Sequence, residues 1–195
     1  MPKSHLQHVN ISIKSHFIYT ATNVLAREPT VIAHPSTRTN NSNLNGKETN
    51  IGESIIMPKD INDNSYLPIK KYLEHLDACY KKYLLKYEIN KHFKEMHIGP
   101  FNLQKYKQSG HFNGLHSERM GISSSSRLFA WMTYHNDVDD GGQTNFSHYN
   151  IKIKPETSKT LIWPAEWTHA HTGEILKSGT KYIVTGWMHF PLENK

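Results

Sequence analysis

From about residue 100 the chain becomes a series of short hydrophobic segments, and this constrains its fold more than any other feature. "FNLQKYK" (101–107), "RLFAWMTY" (127–134), "HYNIKIK" (148–154), "TLIWP" (160–164) and "KYIVTGWMHF" (181–190) are rich in β-branched or aromatic residues. Turn-forming stretches such as "DVDDGGQ" and "KPETSK" part them. A strand this short buries only alternate side chains, so it needs neighbours on both edges and a layer over its apolar face. Several such strands at close spacing predict an antiparallel barrel or sandwich.

The first half reads differently. Ile69, Tyr72, Leu73, Leu76, Tyr80, Tyr83, Leu84 and Tyr87 recur with the period of one helix face, and Pro68 stands where a helix starts well. The pattern predicts an amphipathic helix laid on one face of the sheet, with a shorter helical piece around 89–97. Weak strand signals, "HFIYTA" and "TVIAH", precede a polar loop at 34–52 and a turn cluster, "DINDNSYLP", at 60–68. The expected organisation is a single domain, 1–195. Residues 1–97 form its helical and loop support and residues 98–195 its β core.

A chain of 195 residues can bury a substantial core. Its aromatic fraction of 11% compensates for a modest 36% of hydrophobic residues, because each aromatic ring buries a large area. The net charge is +6, but the lysines between Lys70 and Lys107 alternate with Glu74, Asp77, Glu88 and Glu95. That mixture describes a solvated helix face rather than a nucleic-acid footprint. Cys79 is the single cysteine, so intrachain disulfides and thiolate metal clusters are excluded; its helical position makes it a small packed hydrophobe. "MPKSHLQHVN" has no apolar signal core, and no run of eighteen apolar residues occurs. A cytoplasmic, reducing setting is expected.

The chemistry concentrates in three places. In "GLHSER" an extended backbone projects His116 and Glu118 to the same side. A second histidine beside them would complete a two-histidine, one-carboxylate set. Such a set leaves open positions on an octahedral metal, an arrangement suited to ferrous iron and dioxygen chemistry. "THAHTG" offers His169 and His171. Lys181 stands ten residues after His171, in an apolar strand where Lys181, Ile183, Thr185 and Trp187 share one face and Tyr182, Val184 and Met188 the other. A lysine there needs an anionic partner or a path to solvent, because a buried unpaired ammonium is costly. The partner could be a core acid or a carboxylate-bearing cosubstrate.

These motifs in this order resemble the iron(II)- and 2-oxoglutarate-dependent oxygenases, and in detail their prolyl 4-hydroxylase-type branch. "LQKYKQSGHFNGLHSE" resembles the strand and loop that carry the first two iron ligands. "DVDDGGQTNF" resembles the branch's Gly-Gly turn. "IKPETSKTLIWPAEWTHAHTGE" and "GTKYIVTGWMHF" resemble the distal-histidine segment and the closing strand. More weakly, "STRTNNS" resembles the start of a mobile covering loop. The resemblance spans roughly residues 101–190. It implies a double-stranded β-helix (a jelly-roll, cupin-like core) packed against N-terminal helices.

The resemblance also implies a site. His116, Glu118 and His171 would hold Fe(II) as the catalytic metal, with His171 rather than His169 as the distal ligand. Lys181 would pair with the distal carboxylate of 2-oxoglutarate. Tyr106 and Thr144 would assist through their hydroxyls, and Trp187 would line the site near the substrate. Ascorbate would be an accessory cofactor. The reaction implied is hydroxylation of an unactivated C–H bond by dioxygen, with release of succinate and CO2. The partner would be a peptide, protein or amino acid acted on at a prolyl or other amino-acyl side chain, with no membrane involved.

The chain departs from the branch at three points. Glu118 replaces the commoner aspartate, Phe112 and Asn113 stand where a substrate-gripping tyrosine is usual, and Gln143 replaces a glutamate. Two alternatives stand beside the leading one. A nucleic-acid oxygenase fits the positive charge, but the DNA-repair branch clamps 2-oxoglutarate with arginine. A non-catalytic jelly-roll module binding a glycan or protein fits the aromatics but not the spacing of His116, Glu118, His171 and Lys181.

Overall fold

The computed structural model describes residues 19–22, 51–93 and 95–191. In chain order its strands are β1 (Tyr19–Thr22), β2 (Ile51–Ile56), β3 (His97–Ile98), β4 (Phe101–Tyr106), β5 (Arg127–Tyr134), β6 (Thr144–Phe146), β7 (Ile151–Ile153), β8 (Lys159–Pro164), β9 (His171–Gly173) and β10 (Lys181–His189). One long helix, α1 (Leu67–Lys86), precedes β3. The major sheet runs β1-β8-β5-β10-β4-β2, with β3 pairing on β10, and the minor sheet runs β7-β6-β9. Every pairing is antiparallel. This is the double-stranded β-helix that the resemblance implied, and an antiparallel β core of the kind the short segments predicted.

Alternation along the major strands sorts side chains between two clusters. Phe129 and Trp131 of β5, Ile162 of β8, and Val184 and Met188 of β10 face α1. There they meet the buried stripe Ile69, Leu76, Cys79, Tyr80, Tyr83 and Leu84. Ala130, Met132 and Tyr134 of β5, Leu161 and Trp163 of β8, and Ile183 of β10 face the minor sheet, where they meet Phe146 and Ile153. The predicted two-face pattern of β10 is therefore realised, with Val184 and Met188 on the helix side and Ile183 and Trp187 on the inner side.

The first half differs from expectation in two respects. Among the described residues of 89–97 there is no helix: Glu88 takes a left-handed φ of 57°, and the Ile89 N–H returns to the Leu84 carbonyl at 3.0 Å. A non-glycine residue there reverses the chain after α1, and turns lead into β3. Nor is the N-terminal part only a support. β1 and β2 are edge strands of the major sheet, paired to β8 and β4, so position 97 marks no structural boundary. β1 takes in the last three residues of "HFIYTA" and Thr22; the first three residues of that segment lie outside the described residues. "TVIAH", "STRTNNS" and the polar stretch before residue 51 lie outside the described residues.

Candidate active site

His116 and Glu118 lie on the loop between β4 and β5, and His171 opens β9. Their convergence has a backbone cause. His116 N–H donates to the His171 carbonyl at 3.2 Å, and His171 N–H donates to the His116 carbonyl at 2.9 Å. This reciprocal bridge is one step of an antiparallel ladder. It seats the loop on the minor sheet and places the two rings 4.3 Å apart, centroid to centroid.

Glu118 completes the set. Its Oε1 lies 3.3 Å from His171 Nε2 and 3.8 Å from His116 Nε2. One donor atom from each of the three residues falls within 4.8 Å of the other two. The rest of each imidazole is committed. His116 Nδ1 is 2.8 Å from the Gly114 carbonyl, and His171 Nδ1 is 3.0 Å from the His169 carbonyl. Each carbonyl can only accept, so each Nδ1 carries the proton and each Nε2 offers a lone pair inward.

Electrostatics favour the ligand forms. Burial, then the neighbouring His171, push the His116 pKa down, so its imidazole stays neutral. Burial alone would raise the Glu118 carboxyl; in the metal-free site a protonated His171 ring, through its hydrogen bond and charge, and the Trp187 N–H hold it below its ordinary value. The donor set therefore fits a divalent cation with nitrogen and oxygen preferences, and it can hold Fe(II).

His169 is buried but does not join the triad. It ends a short helical turn, Trp167–His169; its Nδ1 is 3.0 Å from Thr168 Oγ1, and its ring packs 5.1 Å from that of Tyr149. Burial, with the charges of His171 and His148, pushes its pKa down to about 4.

Lys181 is 3% exposed, and no carboxylate pairs with it among the described residues. Its Nζ donates to the Gly142 carbonyl at 3.0 Å and lies 4.4 Å from the centroid of the Tyr106 ring. Burial pushes its pKa down to about 8. The neighbouring Gly141 takes a φ of 79°, and a Cβ there would fall 2.1 Å from the Ile175 carbonyl oxygen. The Gly-Gly turn is thus required to bring the Gly142 carbonyl to the lysine.

The remaining expected residues line the same interior. Thr144 Oγ1 is 2.6 Å from the Tyr134 hydroxyl. Tyr106 pairs across from Lys181, and its hydroxyl donates to Gln104 Oε1 at 2.8 Å; Gln104 donates to Glu53 at 2.7 Å. Trp187 Nε1 donates to Glu118 Oε2 at 2.6 Å. Reading the sequence missed Tyr134, Gln104 and Arg127. Tyr134 could have been found by counting alternation along "RLFAWMTY", since it shares a face with Ala130 and Met132. Gln104 and Arg127 gave no such signal.

Over residues 101–189 the chain matches the model of the 2OG-Fe(II) oxygenase superfamily. That match runs from β4 through β10 and takes in the whole triad and Lys181. In fold the chain resembles a viral collagen prolyl hydroxylase from Paramecium bursaria Chlorella virus 1, solved with 2-oxoglutarate: 18% identity, 73% of this chain and 81% of that one, TM-score 0.55. A Pseudomonas putida prolyl-4-hydroxylase shares 16% identity over 73% of each chain, with a TM-score of 0.54. A Trichoplax adhaerens prolyl hydroxylase, solved with a hypoxia-inducible-factor peptide fragment, shares 15% identity over 90% of this chain and 84% of that one, with a TM-score of 0.63. No curated protein sequence matches the chain significantly. The oxygenase is therefore an Fe(II)- and 2-oxoglutarate-dependent dioxygenase, and no described helix is long and apolar enough to cross a membrane.

Proposed function

We propose that the protein hydroxylates a prolyl or other amino-acyl side chain in a peptide or protein, releasing succinate and CO2. The observation that carries this reading is the pairing of two devices within one barrel. Glu118 of the triad accepts from Trp187 of β10, and the buried Lys181 opens the same strand, on the same face by alternation. Iron and 2-oxoglutarate, when bound, supply the oxidising chemistry for an unactivated C–H bond.

The protein's own residues bind, orient and exclude water. His116, Glu118 and His171 would hold the metal through three ligand atoms, a set that leaves an octahedral ion with positions for reactants. Lys181, beneath the Tyr106 ring, presents an ammonium to the far carboxylate of the cosubstrate, and the Tyr134–Thr144 hydroxyl pair offers further donors. Phe146 and Trp163 pack at 5.1 Å from the His171 ring and keep the metal end dry. The rim is apolar and exposed at Phe112, Leu115, Met120 and Trp167, which suits a peptide chain better than a small free amino acid. Phe112 lies edge-on to His116 at 4.5 Å, so the usual gripping tyrosine is replaced by a ring that can only pack.

The test is succinate release by purified protein, with and without iron, across prolyl peptides, free amino acids and nucleic acids. Iron-dependent release stimulated by a peptide and accompanied by a 16 Da mass gain on that peptide supports the proposal. Stimulation by nucleic acid alone would favour the nucleic-acid oxygenase. Failure to turn over 2-oxoglutarate under any condition would favour the binding module.

A further inference from the structure

The metal triad contains a glutamate whose longer arm has more freedom than an aspartate's. Its two oxygens are nonetheless in different environments. Oε1 faces both imidazole Nε2 atoms, at 3.3 and 3.8 Å. Oε2 faces away from them and accepts the Trp187 indole N–H at 2.6 Å, a short charge-assisted bond. The indole is itself held: the Arg127 guanidinium stacks over the Trp187 ring at 3.6 Å. The same guanidinium, through Nη1, donates to the Glu118 backbone carbonyl at 3.0 Å. Arg127 therefore ties down both the base of the glutamate and the ring that grips its tip. Trp187 and Arg127 lie on neighbouring strands, β10 and β5, in a stretch where Trp187 pairs with Ala130.

From this closed loop of contacts we infer that Trp187, braced by Arg127, is the positioning residue that fixes Glu118 as a one-oxygen ligand and so sets the metal's coordination number. The inference rests on the metal reading of the triad and adds a role for Trp187 beyond lining the substrate space. A carboxylate released from the indole could rotate and present both oxygens to the cation, closing one of the positions that the reactants need. The pairing also accounts for the tolerance of glutamate at position 118. A shorter aspartate would draw its second oxygen back from the indole N–H, so the tryptophan bond and the longer arm belong together.

The experiment is metal binding by the purified full-length protein without 2-oxoglutarate. Mn2+ affinity is measured by calorimetry and Co2+ coordination by visible absorption. Trp187→Phe keeps a ring for Arg127 to stack on and removes only the donor. It is expected to weaken Mn2+ binding about 10–100-fold, the usual effect of losing an outer hydrogen-bond partner, and to shift and weaken the Co2+ bands as the coordination number rises. Arg127→Met, which leaves the indole N–H in place, should produce the same spectral shift in smaller degree. In a double-mutant cycle, Trp187→Phe should add little once Glu118→Asp is present.

Wild-type Mn2+ affinity and unchanged Co2+ bands in Trp187→Phe would overturn the inference while leaving the triad intact. Full additivity with Glu118→Asp would overturn it equally. Wild-type protein that binds neither cation would overturn the metal reading itself, and this inference with it.

Discussion

The two faces of the major sheet are built from the same strands but obey different rules. On the helix side, β5 and β10 present Phe129, Trp131, Val184 and Met188 to the apolar stripe of α1. Polar atoms there include a hydroxyl chain from Tyr72 to Thr133 at 2.8 Å and on to Thr160 at 2.8 Å, and a buried indole N–H, that of Trp131, with no hydrogen-bond partner among the described residues. On the inner side, the next residues along include Tyr134, Lys181 and Trp187, and the minor sheet adds Thr144 and His171. Here a buried ammonium meets no acid among the described residues, and a carboxylate lies among two imidazoles and an indole. One face minimises unsatisfied charge, while the other tolerates it where a cation and a dianion are to bind. The period of two lets one strand do both without compromise.

The largest expected effect tests whether the inner face is a metal site at all. His171→Ala removes one of three ligands and should abolish Mn2+ binding and succinate release. His169→Ala, two residues away and outside the triad, should retain metal binding. Equal losses in the two variants would mean that the segment is needed only for packing. The matching change on the outer face is Leu76→Ala, at a fully buried position of α1. It should destabilise the protein by about 2–5 kcal/mol in denaturant titration. The Michaelis constant for 2-oxoglutarate at a temperature where the variant is folded should not change, and a large change would show that the two faces are coupled.

Lys181→Met sharpens the contrast, because stability and binding should move in opposite directions. Loss of a charge-assisted contact to the cosubstrate costs about 1.5–3 kcal/mol, so the Michaelis constant for 2-oxoglutarate should rise roughly 10- to 150-fold. Mn2+ affinity should stay near wild type. The ordinary lysine pKa of 10.5 is lowered to about 8 in the fold by burial. Between these values the unfolded chain binds the proton and the folded one does not, so this group makes stability rise with pH through that window. Below about pH 8 the penalty of burying the charge is felt in full. Lys181→Met should therefore raise the melting temperature of the cosubstrate-free protein at pH 7 and flatten its rise above pH 8. In the wild type, 2-oxoglutarate binding should weaken as pH increases past about 8, where the ammonium is lost. A variant that melts lower at pH 7 would show that the lysine is a structural group with a partner rather than a strained binding group.

The same contrast explains what could be read from sequence. α1 was legible because eight apolar positions from Ile69 to Tyr87 keep one helical face. Its end was not, because a left-handed turn at Glu88 carries no glycine to announce it. β4, β5, β8 and β10 were legible as runs of β-branched and aromatic residues. β9, only three residues long, is defined by tertiary bridges to β6 and His116 rather than by its own composition. Within the site, His116 and Glu118 were marked by their spacing, Lys181 by the cost of burying it, and His171 by the resemblance. Alternation along "RLFAWMTY" carried a signal for Tyr134, but Arg127 and Gln104 act through contacts made across strands, and no local pattern encodes which residues face each other. Residue pattern alone left His169 and His171 both open as ligands, and the resemblance chose His171; the reciprocal backbone bridge from His116 reaches only His171.

The smallest expected effect lies where the outer face comes nearest to the inner one in character. Thr133 on β5 has its hydroxyl between those of Tyr72 and Thr160, and both threonines are almost fully buried. Thr133→Val keeps the shape and leaves the two outer hydroxyls without their shared partner, which should cost about 1–2 kcal/mol. Replacing the whole chain, as Tyr72→Phe with Thr133→Val and Thr160→Val, removes donors and acceptors together. The triple variant should be less destabilised than the single one, because a fully apolar contact is better than a half-satisfied polar one. Denaturant titration of both variants checks this ordering. If the triple variant is instead the weaker, the hydroxyl chain contributes net stability to the docking of α1. The outer face would then depend on a specific polar network, as the inner one does, and not on apolar packing alone.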